Sequence, residues 1–375
     1  MRIFTPGHST YTDTLMLYGL CRALYLQFGE EFKGDFLKAT RIGQQYMIEV
    51  EADVDEIVEA LMRIPSSEGD RMYSQLTEAR SPLGLFGERD VEEALEALRD
   101  EEGLRGYLND LQEIGHSARR GEGRGGRGKT VKLPLIPLAG KYQHRDLTST
   151  PKFAAKSYKA CKHCRALTLL GFLNSVYGVR GREGRMIITL PFEGIVEADF
   201  FSDFFAFYPM YWEQFFDELR RVRLVDQVPI RTATYIVISL FSGDLIDAMT
   251  GAEAGWHSIG VRFAGRPGAP EVRGFCELEL TSFIEGLNRL YKEGIQGLAP
   301  ILSLIYLLIS QGDADTLDSL FNFISKGRAE DMYETVRGAY STLQQAKLKG
   351  VRGVNKADRE FHIYFNDMAR ALLRG

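Results

Sequence analysis

Positive charge in this chain is gathered into one 69-residue stretch. Residues 117–185 carry 16 Lys and Arg against three acids (Glu122, Asp146 and Glu183), a local charge of +13. The whole 375-residue chain carries 46 cations against 51 acids, a net of −5, so the remainder stands at −18. The stretch opens as Arg119-Arg120-Gly121-Glu122-Gly123-Arg124-Gly125-Gly126-Arg127-Gly128-Lys129-Thr130. Five cations on so glycine-rich a backbone read as a loop able to mould itself to a phosphate surface. The stretch reads as a basic insertion in a mixed α/β region. Charge collected in this way faces a polyanion, and the acidic remainder favours solubility.

The apolar fraction of 45% is that of a globular protein, and the length suffices for two domains or for one with an appendage. Four cysteines (Cys21, Cys161, Cys164 and Cys276) are too few for a disulfide scaffold, so a reducing cytoplasm is expected. The opening residues, which include Gly7 and His8, lack the apolar run of a secretory signal. The longest apolar run, Leu298 to Ile309, is interrupted by Pro300 and falls short of the ~20 residues that cross a bilayer, so no membrane is expected.

Arg2–Thr5 reads as a strand, and Thr12 as the N-cap of a helix ending at Gly29 and apolar nearly all round. Leu37–Thr40 and Gln44–Val50 read as strands around a turn, residues 54–63 as a helix, and Pro65–Asp70 and Ser81–Gly87 as loops. Helices are expected from Asp90 and over Leu104–Ile114. Pro134 and Pro137 confine Val131–Ala139 to an edge strand or an extended crossing. Ala154–Tyr177 reads as one long helix, Arg185–Pro191 as a strand, and 198–223 as a helix broken at Pro209. Thr232–Leu240 is β-branched and reads as a buried strand. Ser258–Phe263 and Val272–Leu280 are further strands. After Ser282 every segment is helical: Phe283–Lys292, Leu298–Ser310, Thr316–Ser325, Ala329–Lys347 and Ala357–Leu373. The expected fold is α+β, with a mixed α/β domain over 1–280 that contains the basic segment 117–185, and a helical domain over 281–375.

Gly123 to Thr130 matches the phosphate-cradling pattern G-x-x-x-x-G-K-[ST]. That chemistry needs a buried strand before the glycines and a helix starting at the lysine. Here Gln112 to Arg120 is a helix end, and Val131-Lys132-Leu133-Pro134 cannot begin a helix. No apolar strand ends directly in an aspartate that would hold magnesium. The competing reading makes Arg119, Arg120, Arg124, Arg127, Lys129 and Lys132 ligands of nucleic-acid phosphates, with Lys152, Lys156, Lys159, Lys162 and Arg165 following. Lys152, Lys156 and Lys159 fall at spacings of four and three, one stripe of a helix. Gln143 and His144 add side chains able to read base edges or stack. A second cluster, Lys347, Lys349, Arg352, Lys356 and Arg359, reads as a solvated loop.

Cys161-Lys162-His163-Cys164 has metal-ligand spacing but lacks a second pair to complete four ligands. A redox role wants the motif at a helix N-terminus after a strand, whereas the pattern places it inside a helix, where two cysteines are core residues. The histidines are scattered, no G-x-S-x-G elbow occurs, and neither catalysis nor a cofactor is expected. Ten aromatics between Phe200 and Phe216 fit either a buried helix or a protein–protein interface.

Thr5-Pro6-Gly7-His8 running into an apolar helix, and Cys161-Lys162-His163-Cys164 leading into Leu167-Thr168-Leu169-Leu170-Gly171, resemble the large subunit of the archaeal type I-A CRISPR interference (Cascade) complex. The overall size and the mixed-then-helical plan agree. The resemblance implies a non-enzymatic, DNA-binding protein. It would recognise the motif flanking the target on double-stranded DNA while the guide RNA reads sequence by pairing. Its implied partners are the guide-RNA-containing complex, other interference subunits and a recruited helicase-nuclease. The alternatives are a P-loop nucleotide-binding protein using Gly123–Thr130, or an RNA-binding scaffold.

Overall fold

The computed structural model describes residues 1–79, 81, 83–113, 131–132, 159–180, 185–208, 228–266 and 269–373. The chain begins with β1 (Arg2–Phe4), α1 (Thr10–Phe28), the hairpin β2 (Leu37–Ile42) and β3 (Gln45–Val50), and four helices: α2 (Val54–Ser67), α3 (Gly69–Thr77), α4 (Glu88–Leu98) and α5 (Glu101–Asp110). Two short strands follow, β4 (Val131–Lys132) and β5 (Lys159–Ala160), then α6 (Lys162–Ser175), β6 (Tyr177–Arg180), β7 (Arg185–Thr189), β8 (Phe192–Glu197) and α7 (198–208). Next come α8 (Ile230–Ser239), α9 (Gly243–Gly251) and the hairpin β9 (Ala254–Arg266) and β10 (Ala269–Glu279). The chain closes with α10 (Thr281–Lys292), α11 (Leu302–Gln311), α12 (Ala314–Lys326), α13 (Ala329–Leu348) and α14 (Val354–Leu373). An antiparallel sheet precedes a helical C-terminal region, so the α+β expectation holds.

Eight strands form the sheet, in the order β1-β3-β2-β8-β9-β7-β6, with β10 on the other side of β9. β7 and β8 are successive pieces along one side of β9: Ile187 faces Val261, and Phe192 faces Trp256. Pro191 sits between them; it has no amide to donate, and its carbonyl accepts from His257 at 3.0 Å.

A helix with no polar face has to be covered on all sides. Tyr11 to Cys21, Ala23 and Leu24 of α1 are accordingly buried. α6 is equally apolar and packs on α1 where each carries a glycine. A Cβ on Gly19 would overlap the Leu167 carbonyl oxygen, and one on Gly171 would overlap that of Leu15. Only glycine permits this backbone approach. Ser9 caps α1, three residues before Thr12, by accepting from the Thr12 amide at 3.1 Å. Gly29 ends the helix as expected, at φ 54°.

Three expectations are corrected. Thr232–Leu240 is not a strand: it falls on α8, buried throughout Thr232–Ser239. Thr234 Oγ1 donates to the Ile230 carbonyl at 3.0 Å and Ser239 Oγ to that of Ile236 at 2.7 Å, so the helix itself satisfies these two buried hydroxyls. α8 fits the hairpin because Gly260 leaves room for Ile230. Residues 65–70 are not a loop, since α2 runs through Pro65 and α3 begins at Gly69. The long helix expected over 154–177 starts only at Lys162, with β5 before it.

Tyr235 of α8 lies 4.5 Å, centroid to centroid, from both Phe283 and Phe321, which carries the buried core into the C-terminal helices. No single described helix is long and apolar enough to cross a membrane. The pair α8–α9 has the composition but turns through 104°.

Candidate nucleic-acid interface

The described ends of the basic segment meet as an antiparallel ribbon, in which Val131 pairs with Ala160 and Lys132 with Lys159. Two lysine positions therefore stand directly opposite each other where the excursion leaves and re-enters the fold. Arg119, Arg120, Arg124, Arg127, Lys129, Gln143, His144, Lys152 and Lys156 lie outside the described residues. Val131–Lys132, which follow the G-x-x-x-x-G-K-T pattern, form a strand where a phosphate-cradling loop needs a helix.

Three described cations of the basic stretch serve the fold. Arg165 is buried, pairing with Asp90 and, at 2.7 Å, with Glu93 of α4. Burial pushes the Glu93 carboxyl up, but the hydrogen bond from Arg89 and the charge of Arg165 outweigh it and hold the group below its ordinary value. Arg165 is thereby withdrawn from the phosphate ligands expected of it. Lys162 pairs with Asp100, and that hydrogen bond, with one from the Gly103 amide, holds the Asp100 carboxyl low. Arg185 donates to the Ala79 carbonyl at 2.8 Å. In the second basic cluster Lys347 pairs with Asp358 at 2.9 Å and Lys356 with Glu360 at 3.5 Å.

The cysteine pair is not where the sequence put it. Cys161 is the N-cap of α6, immediately after β5, and its sulfur accepts from the Cys164 amide at 3.3 Å. Cys164 is fully buried, 3.5 Å from the Tyr107 hydroxyl of α5, and burial pushes its thiol well up. The His163 ring lies tilted against Tyr107, centroids 5.3 Å apart, with Nε2 at 3.9 Å from Asp100. The partners Tyr107 and Asp100 escaped sequence reasoning, because nothing in the sequence ties α5 to α6. Among the described residues no group of three or more His, Cys, Asp or Glu side chains is arranged to hold a metal ion.

The aromatic run divides. Phe200, Phe201, Phe204, Phe205 and Tyr208 of α7 are core residues: Phe200 lies 4.7 Å from Trp256, and Tyr208 donates to the Val176 carbonyl at 2.6 Å. Tyr211, Trp212, Phe215 and Phe216 lie outside the described residues.

Known proteins match this sequence. The family described as CRISPR-associated protein (Cas_Csa4) covers residues 1–364. This chain belongs to that family. Over 199 residues it is 28% identical to the CRISPR system associated protein Cas8 of Thermoproteus tenax, an alignment that takes in 46% of this chain and 50% of the relative. The chain thus spans about half the length of that relative. The likeness to a large subunit of a CRISPR interference complex, read from the two motifs, stands at the level of the family.

Proposed function

We propose that this chain is the non-catalytic large subunit of an RNA-guided CRISPR interference complex, and that its basic segment contacts target double-stranded DNA beside the flanking motif. Family membership supports the complex. The observation that carries the DNA contact is the β4–β5 register. It sets two lysine positions opposite each other at the foot of a stretch that carries +13, the charge a phosphate backbone would meet. Arg119, Arg120, Arg124, Arg127 and Lys129 lead into this ribbon. Lys152 and Lys156 precede its return, and Gln143 and His144 fall between. Contacts of the cations would supply affinity, while the guide RNA reads sequence. In this reading the guide-RNA-containing complex, the other interference subunits and a recruited helicase-nuclease are the partners. The division near residue 280 would separate a DNA-facing part from a helical part that meets other subunits.

The test is target-DNA binding by the assembled complex across a salt series. Replacing Arg124, Arg127 and Lys129 with alanine removes up to three phosphate contacts, so the slope of log K against log salt flattens by about three, at ~0.9 per contact. Unchanged affinity and slope would remove the basic loop from the DNA interface.

A further inference from the structure

We infer that Cys161 and Cys164 form a thiol–disulfide exchange site that takes small disulfides, such as oxidised glutathione. The inference stands apart from the nucleic-acid reading. The arrangement has the parts that such chemistry requires. The first cysteine of C-x-x-C caps a helix directly after a strand, which sets the Cys161 sulfur 3.3 Å from the Cys164 amide in the first turn. The pair is asymmetric: Cys161 is partly exposed, whereas Cys164 is fully covered. A disulfide arriving from solvent therefore meets Cys161. The negative charge of a Cys161 thiolate would be met by the Cys164 amide and the first turn of α6. Cys164 is positioned as the resolving group, with its sulfur 3.5 Å from the Tyr107 hydroxyl. Cys21 is buried on α1 and Cys276 sits on β10, so neither shares this turn.

The steps balance. The Cys161 thiolate attacks one sulfur of oxidised glutathione and that S–S bond breaks. One glutathione leaves as a thiolate that takes up a proton. Cys164 attacks the Cys161 sulfur, and its proton passes to the departing second glutathione. The mixed disulfide breaks, the second glutathione leaves, and the protein keeps the Cys161–Cys164 bond. Two electrons pass from the protein dithiol to glutathione disulfide, which becomes two thiols.

The experiment equilibrates the full chain with reduced and oxidised glutathione at a series of ratios, then denatures it, alkylates it and reads the intact mass. Wild type is expected to fall from four alkylated cysteines to two as the oxidised fraction rises, with peptide mapping placing the bond at Cys161–Cys164. Cys164→Ser is expected to stop halfway and hold one glutathione on Cys161, and Cys161→Ser to hold none on this turn. Four alkylatable cysteines in wild type at every ratio, or a bond mapped to Cys21 or Cys276, would overturn the inference. The wild-type measurement decides even if the buried Cys164→Ser variant does not fold.

Discussion

Replacing Arg165 with methionine separates the two roles a cation in this stretch can play. The side chain is 6% exposed and bridges Asp90 and Glu93, themselves 37% and 32% exposed. Each charge-assisted hydrogen bond contributes about 1.5–3 kcal/mol where its partner stays dry. Both acids here reach water once the arginine is gone, and methionine retains the apolar stem, so the net loss falls to about 2–3 kcal/mol. For a chain of this length that lowers Tm by roughly 3 °C. Differential scanning calorimetry measures it. The deficit carries a pH signature. Arg165 helps to hold Glu93 below its ordinary value, so its contribution is present above the unfolded carboxyl range and fades as pH falls through it. The salt slope of target-DNA binding by the assembled complex should not move. A Tm within ~1 °C of wild type, together with a salt slope flattened by ~0.9, would show Arg165 to be a phosphate ligand and refute the buried-pair argument.

Gly171→Ala sets a methyl against the Leu15 carbonyl oxygen, a backbone atom that cannot swing aside. The overpacking cost, about 1–3 kcal/mol and at the upper end for a backbone atom this close, exceeds the gain in helix propensity of about 1 kcal/mol, and chemical denaturation should show a net loss of about 1–2 kcal/mol. A midpoint at or above wild type would mean that α1 and α6 do not cross so closely. Asp13 is fully buried, and burial lifts its carboxyl from 3.8 to about 6, only partly countered by bonds from Thr5, Ser9, Gly7 and His8. The raised value means full stability below about pH 4, with about 3 kcal/mol lost as pH rises through 6. Asp13→Asn cannot titrate, and its stability profile should lack that slope. Parallel profiles for the two proteins would end the argument.

Much of the fold was legible locally. The C-terminal helices repeat apolar residues at the helical period, and α12 ends at Gly327 in a left-handed conformation, φ 62°. The β2–β3 hairpin announced itself by Gly43, φ 64° between paired strands. The failures share a cause. A continuously apolar segment such as Thr232–Leu240 has no polar face to betray its period, and its β-branched residues differ from good helix formers by only a few tenths of a kcal/mol each. The space left beside Gly260 for Ile230 is what a helix there fills, and that space lies in another part of the chain.

The candidate site divides in the same way. The sequence alone determined the +13 stretch, the acidic remainder and the family motifs, because charge and composition survive without coordinates. The tertiary structure decided which cations are spent on pairs within the fold. Arg165 and Lys162 look identical to phosphate ligands in one dimension, and only the approach of α4 and α5 supplies the carboxylates that claim them. It also moved Cys161 from a helix interior to a helix cap. That placement depends on where the backbone stops pairing as β5 and starts bonding to itself as α6, a competition between hydrogen-bond partners that residue identities leave open.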